Sequence, residues 1–153
     1  MANILCQIIG TKRLLLYPPT DVSHFAIPPG ASSSPIAVFA DDAHEKYPSL
    51  PFTHPHEVIL NPGEVLYIPP LWLHAASPKE DVSVSLNVFF RDLDSGYAPG
   101  RDVYGNRDTQ SYERGRKEVE KLSKSFDGLP PDMARFYLER LADELKEKAW
   151  QRL

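Results

Sequence analysis

Apolar and polar positions divide this chain into two unlike parts. β-Branched and aliphatic residues crowd 3–9 and 12–17 on either side of Gly10-Thr11. That predicts two strands joined as a hairpin by a two-residue turn. With Ile9 opposite Lys12, side-chain alternation puts Asn3, Leu5, Gln7, Lys12, Leu14 and Leu16 on one face. Four further short strands are predicted at 57–60, 64–69, 72–77 and 82–91. Asn61-Pro62-Gly63-Glu64 and Pro78-Lys79-Glu80-Asp81 supply turn chemistry between them. If the second turn closes a hairpin, His74 lies near Ser85. Trp72, His74 and Ala76 then share a face with Ser83, Ser85 and Asn87. The opposite face, with Leu71, Leu73, Ala75, Val84, Leu86, Val88 and Phe90, is apolar. A small polar face around a histidine, backed by an apolar one, is the pattern of strands lining a barrel cavity.

Residues 18–56 read as a long connection rich in Pro, Ser, Asp and His. Within it 31–35 is expected to be mobile. Residues 41–48 predict one helical turn, capped by Asp41 and stopped by Pro48. The periodicity turns helical towards the C-terminus. Tyr112, Val119, Leu122 and Phe126 form a sparse stripe over 108–126, and Gly128 suits the stop. Pro130-Pro131 suits the next start, and Met133, Phe136, Tyr137, Leu141 and Leu145 continue at helical spacing to about 149. The expected organisation is a β-rich domain over 1–93 and a helical extension over 94–153. The extension predicts an αα-hairpin that covers the sheet or a partner chain.

Composition narrows the classes. The chain has 153 residues, 42% hydrophobic and 25% charged, which is a globular balance. A net charge of −4 argues against nucleic-acid binding by bulk electrostatics. Local contacts from Arg13, Arg101, Arg107, Arg114 or Arg116 stay open, although a solvated face explains most of them. Cys6 stands alone, so no intrachain disulfide can form. No apolar run reaches membrane-spanning length, and the cytoplasm is the expected compartment, with the nucleus as alternative. The chain lacks a Ser-His-Asp order, a Gly-rich phosphate loop and a Cys-x-x-Cys pair. Acyl transfer, nucleotide hydrolysis and zinc-finger readings therefore have no support.

His74 is the most informative residue. It ends the run Gly63-Glu64-Val65-Leu66-Tyr67-Ile68-Pro69-Pro70-Leu71-Trp72-Leu73-His74. An imidazole on a rigid strand is a good iron or zinc ligand, but one alone holds neither tightly. This run resembles the second conserved stretch of the JmjC/cupin family of iron(II), 2-oxoglutarate-dependent oxygenases. Residues 3–19 and 84–90 resemble that family too, so the likeness covers about 1–91. Within it the chain looks most like the JmjC domains of tRNA wybutosine biosynthesis, including the fungal leucine-carboxyl methyltransferase type. Residues 100–108 and 136–145 carry the fungal likeness.

The resemblance implies a mainly β fold: a partial double-stranded β-helix (cupin, jelly-roll) followed by a C-terminal αα-hairpin. It implies iron(II) and 2-oxoglutarate in the intact domain, and tRNA as substrate of the parent protein. His74 matches the distal iron-binding histidine. Lys12 matches the lysine that pairs with the distal carboxylate of 2-oxoglutarate; a cavity-facing ammonium needs such an anion. Asn3 and Asn87 match polar positions near the cosubstrate. Trp72, Ser85 and Gln7 line the pocket, with Trp72 read mainly as packing. One departure matters. The family's His-x-Asp/Glu pair lies just ahead of the segment matching Met1-Ala2-Asn3. The sequence is therefore expected to be the C-terminal half of a JmjC domain, inactive alone.

Two other readings compete. A half-barrel with open sheet edges suits a non-catalytic interaction or dimerisation module of a multidomain tRNA-modification methyltransferase, pairing through an edge or through the helices. A weaker one is a metal cupin using His54, His56 and His74, with zinc or nickel in mind. Solvated or capping roles explain His54 and His56 better. His24 and His44 are expected to be exposed, and Asp21, Asp41, Asp42 and Glu64 to serve turns and caps.

Overall fold

The computed structural model describes residues 2–31, 33–90 and 107–152. Six strands form where the apolar pattern places them: β1 (Ala2–Ile9), β2 (Lys12–Tyr17), β3 (His56–Leu60), β4 (Val65–Ile68), β5 (Leu73–Pro78) and β6 (Val84–Phe90). Their pairing differs from the expected hairpins. One antiparallel sheet runs β4-β1-β6 and the other β3-β2-β5. β1 and β2 belong to different sheets, and so do β5 and β6.

Gly10-Thr11 is thus a crossover between sheets, not a hairpin turn. Gly10 has φ +71°, and a Cβ there would sit 2.3 Å from the Val82 carbonyl oxygen. Only glycine permits that backbone approach. The Thr11 N–H donates to the Glu80 carboxylate, and the Lys79 N–H donates to the Thr11 carbonyl at 2.9 Å. The physical gain is that β1 and β2 each obtain two partners. β1 lies between β4, with Asn3 opposite Ile68, and β6, with Gln7 opposite Ser85. β2 lies between β3, with Leu16 opposite His56, and β5, with Leu16 opposite His74.

The predicted facial grouping survives this change, because alternation along a strand does not depend on its partner. Asn3, Leu5 and Gln7 face inward from one sheet, Lys12, Leu14 and Leu16 from the other. Leu5, Ile68, Leu14, Leu16 and Leu60 form the buried core between them, with Val58, Leu66 and Trp72 packed against it.

The connection between β2 and β3 is more ordered than the sequence suggests. It holds a 3-10 helix (Pro19–Phe25), α1 (Ala43–Lys46) and a second 3-10 helix (Leu50–Phe52). Phe25, Ile36, Ala43 and Leu50 pack with Tyr17 into a second core. The stretch expected to be mobile is tied down: Ser34 donates to the Phe25 carbonyl and accepts from the Ile36 N–H. Ser32 lies outside the described residues. Asp42, not Asp41, precedes α1, and its side chain makes no cap bond; the contacts of Ala43 hold that turn instead.

The chain divides into two compact units, Met1–Tyr97 and Ala98–Leu153. The expected boundary at 93/94, the stretch 100–106 and Arg101 lie outside the described residues. The second unit carries α2 (Arg107–Lys124) and α3 (Pro131–Trp150). They follow the predicted spans closely, and the rings of Phe126 and Tyr137 stack at 6.3 Å between centroids. No residue from 111 to 152 is buried. The apolar stripe, including Tyr112, Val119, Met133 and Phe136, stays exposed. The two helices expected at the C-terminus are thus both present. Among the described residues no helix is long and apolar enough to cross a membrane.

Candidate functional site

At the crossover end of the inner face, four side chains form one hydrogen-bonded network. Gln7 is fully buried. Its amide nitrogen donates to the carbonyls of Ile9 and Gly10 at 2.7 and 2.8 Å and reaches the Ser83 hydroxyl at 3.0 Å. Its amide oxygen accepts from Ser85 at 2.6 Å. The Lys12 ammonium in turn donates to the Ser85 hydroxyl. Gln7 thereby pins the crossover and fixes Ser85, and Ser85 aims Lys12. Among the described residues no carboxylate pairs with this half-buried ammonium. An ammonium so placed suits a ligand carboxylate chemically.

Asn3 and Asn87 meet further along the same face. The Asn3 side-chain Nδ2 donates to the Asn87 side-chain Oδ1 at 3.1 Å. Among the described residues the Asn3 Oδ1 atom is buried without a partner. Buried acceptors are seldom left so.

His74 stands opposite Leu16, whereas Lys12 stands opposite Pro78. The Leu14–Ala76 row separates the two levels. The register gives His74 an inward-facing position, as expected. The enclosure expected from a barrel cavity is not formed by the described residues, and His74 is exposed. The reason is topological: β5 and β6 are edge strands, with no described strand on their far sides. The His74 Nδ1 atom lies 3.4 Å from the Trp72 carbonyl oxygen.

Iron needs more than this. Among the described residues, no group of three His, Cys, Asp or Glu side chains is arranged to hold a metal. The donor set here does not fit an iron centre, and the His54, His56, His74 alternative fails for the same reason. His54 is engaged elsewhere: its backbone N–H and its ring Nδ1 reach the two carboxylate oxygens of Asp21 at 2.6 and 3.0 Å. Asp21 is only 2% exposed. Burial alone would push its carboxyl up, but the hydrogen bonds from the His54 backbone and ring outweigh that and hold it below its ordinary value.

The Asp21–His54 clamp and the His56–Trp72 ring pair, 5.4 Å between centroids, were not singled out by the sequence patterns. The clamp joins residues 33 apart, so only the tertiary fold reveals it. His24 is half-buried rather than exposed, with its ring stacked on Phe52; His44 is exposed as expected. Arg13 is taken up by Glu57 at 2.8 Å, and Arg116 contacts Glu113 at 3.4 Å.

This inner face of two three-stranded antiparallel sheets fits what comparison with known proteins finds. Residues 1–96 match the family described as "Cupin-like domain". The chain belongs to the cupin-like domain family. Among its relatives is tRNA wybutosine-synthesizing protein 4 of Emericella nidulans, 65% identical over 151 residues. The counterpart from Aspergillus oryzae is 61% identical over 149 residues. tRNA wybutosine-synthesizing protein 5 of Danio rerio is 34% identical over 152 residues. These matches cover 99%, 97% and 99% of this cupin-like chain. They cover 14% of each fungal protein and 46% of the fish protein.

Proposed function

We propose that this cupin-like chain contributes the cosubstrate-binding face of an iron(II), 2-oxoglutarate-dependent oxygenase domain that acts in wybutosine synthesis on tRNA. The observation that carries the proposal is the half-buried Lys12 ammonium. It is held by Ser85 and Gln7 on the same inner face as His74, in a chain whose relatives are wybutosine-synthesizing proteins. Lys12 takes the distal carboxylate of 2-oxoglutarate, and Ser85 and Gln7 keep the ammonium aimed. Asn3 and Asn87 flank the cosubstrate. His74 supplies one of the three ligands that a 2-His-1-carboxylate iron needs. Among the described residues no group of three side chains is arranged to complete that set; on this reading the chain binds the dicarboxylate and the remaining ligands come from outside the described residues.

A transplant tests this. In fungal cells lacking their own wybutosine-synthesizing protein 4, the protein is restored with this chain replacing its matching region. Nucleosides from bulk tRNA are then read by mass spectrometry. Wybutosine is expected to return, and to be lost with Lys12→Ala or His74→Ala. Restoration by both variants contradicts the proposal.

One observation favours a second role beside this one. In the helical unit none of residues 111–152 is buried, and they expose an apolar stripe. Homodimerisation through α2 and α3, or pairing at the β5 or β6 edge, would cover such surface. Sedimentation should then show a dimer that Phe136→Lys weakens; a monomer at all concentrations removes this role.

A further inference from the structure

The outer face of β4-β1-β6, turned away from Lys12 and His74, is an apolar surface joined by register. Cys6 of the central strand has Val65 opposite it on one side and Leu86 on the other. In the next row of the same face Val88 stands opposite Ile4. Cross-strand neighbours on one face lie about 5 Å apart, so these side chains make one unbroken patch. Cys6 is half-buried, whereas Ile8, Val65, Val84, Leu86 and Val88 are 44–61% exposed.

The chemistry of the patch limits what can lie on it. No outward position of the three strands carries a charge. RNA needs cations that this face lacks. An anionic membrane needs them too, and the net charge of the chain is −4. A second copy needs none. In a twofold contact each patch meets itself, so a charged patch would repel its own image and an uncharged one does not. Sheet faces rich in β-branched and aliphatic residues pack on one another as sandwich layers. Five side chains about half exposed remove roughly 500 Å² from each copy, about 1,000 Å² in total, which is the lower end of specific interfaces.

We propose that the outer face of β4-β1-β6 packs on the same face of a second copy, with the twofold axis near Cys6. The contact closes a β-sandwich between two chains. It is independent of the oxygenase reading, and it uses neither α2 and α3 nor the sheet edges. Its modest area makes it an association in the micromolar range that dissociates on dilution.

Sedimentation equilibrium of the whole chain from about 1 to 100 μM tests it, the range in which such a contact changes occupancy. A monomer–dimer equilibrium is expected. Leu86→Lys and Val65→Lys should each raise its Kd at least about hundredfold, because each sets a charge against an apolar surface that excludes water. Circular dichroism confirms that both variants are folded. Cys6, the single cysteine, reports the axis. Packed sheets lie about 10 Å apart, so a short bis-maleimide should join two copies of the parent and none of Leu86→Lys. A monomer at all concentrations, a dimer indifferent to both sheet substitutions, or a dimer that the bis-maleimide does not join overturns the proposal. A dimer lost with Phe136→Lys and kept with both sheet substitutions assigns the association to the helices and overturns it as well. So does a monomer that floats with phosphatidylcholine vesicles, which would give the face to a lipid surface.

Discussion

The two sheets have equally apolar outer faces and opposite fates. Behind β3-β2-β5, Leu15, Tyr17 and Leu73 lie under Phe25, Ile36, Ala43 and Leu50. Behind β4-β1-β6, Ile8, Val65, Val84, Leu86 and Val88 remain 44–61% exposed. The difference comes from the connection between β2 and β3, which folds back as a layer over its own sheet. Long connections in compact domains usually earn their length by function, and here part of the function is cover. The bare face is a contiguous row across three strands, larger than the scattered apolar residues normal on a surface.

The strongest way to break this comparison is to remove the cover. Phe25 is 3% exposed and packs edge-on against Tyr17 at 4.6 Å. Phe25→Ala should cost about 3–5 kcal/mol of unfolding free energy by urea titration. A loss below about 1 kcal/mol would mean that the layer is dispensable.

Asp21 gives the next effect, through pH. Its carboxyl is held below its ordinary value by His54. The stability it adds is present above the unfolded carboxylate range, near about pH 4, and is lost as pH falls through the lower folded value. Thermal melts of the parent should drop steeply on acidification there. Asp21→Asn should flatten that limb and cost about 1–3 kcal/mol at neutral pH, because a buried partner of the His54 N–H is weakened. Identical acid limbs in the two proteins would contradict the clamp.

The smallest effect is expected on the bare face. Leu86→Ser should change unfolding free energy by no more than about 0.5 kcal/mol and reduce self-association in light scattering. A loss comparable to that of Phe25→Ala would show that this face is covered after all.

Much of this was legible in the sequence. Strand positions, inward-facing residues and both long helices followed from alternation and turn chemistry. Pairing did not: the Gly10-Thr11 signal fits a hairpin and a sheet crossover equally, and the contact between Gly10 and Val82 that decides it spans 72 positions. The family motif placed Lys12 and His74 on one face. It did not reveal that His74 would be exposed, which depends on what flanks β5. Nor did it reveal that Gln7 would be spent on the crossover. The Asp21–His54 clamp left no periodic trace, since neither partner belongs to a repeating pattern.

The central claim is that the Lys12 ammonium is an anion site for a dicarboxylate. Isothermal titration of the purified chain with 2-oxoglutarate tests it most directly. Saturable binding is predicted, weakened at least about tenfold by Lys12→Ala, the scale of one charge-assisted hydrogen bond. An absence of binding at millimolar ligand, or an unchanged affinity in the folded Lys12→Ala variant, would contradict it.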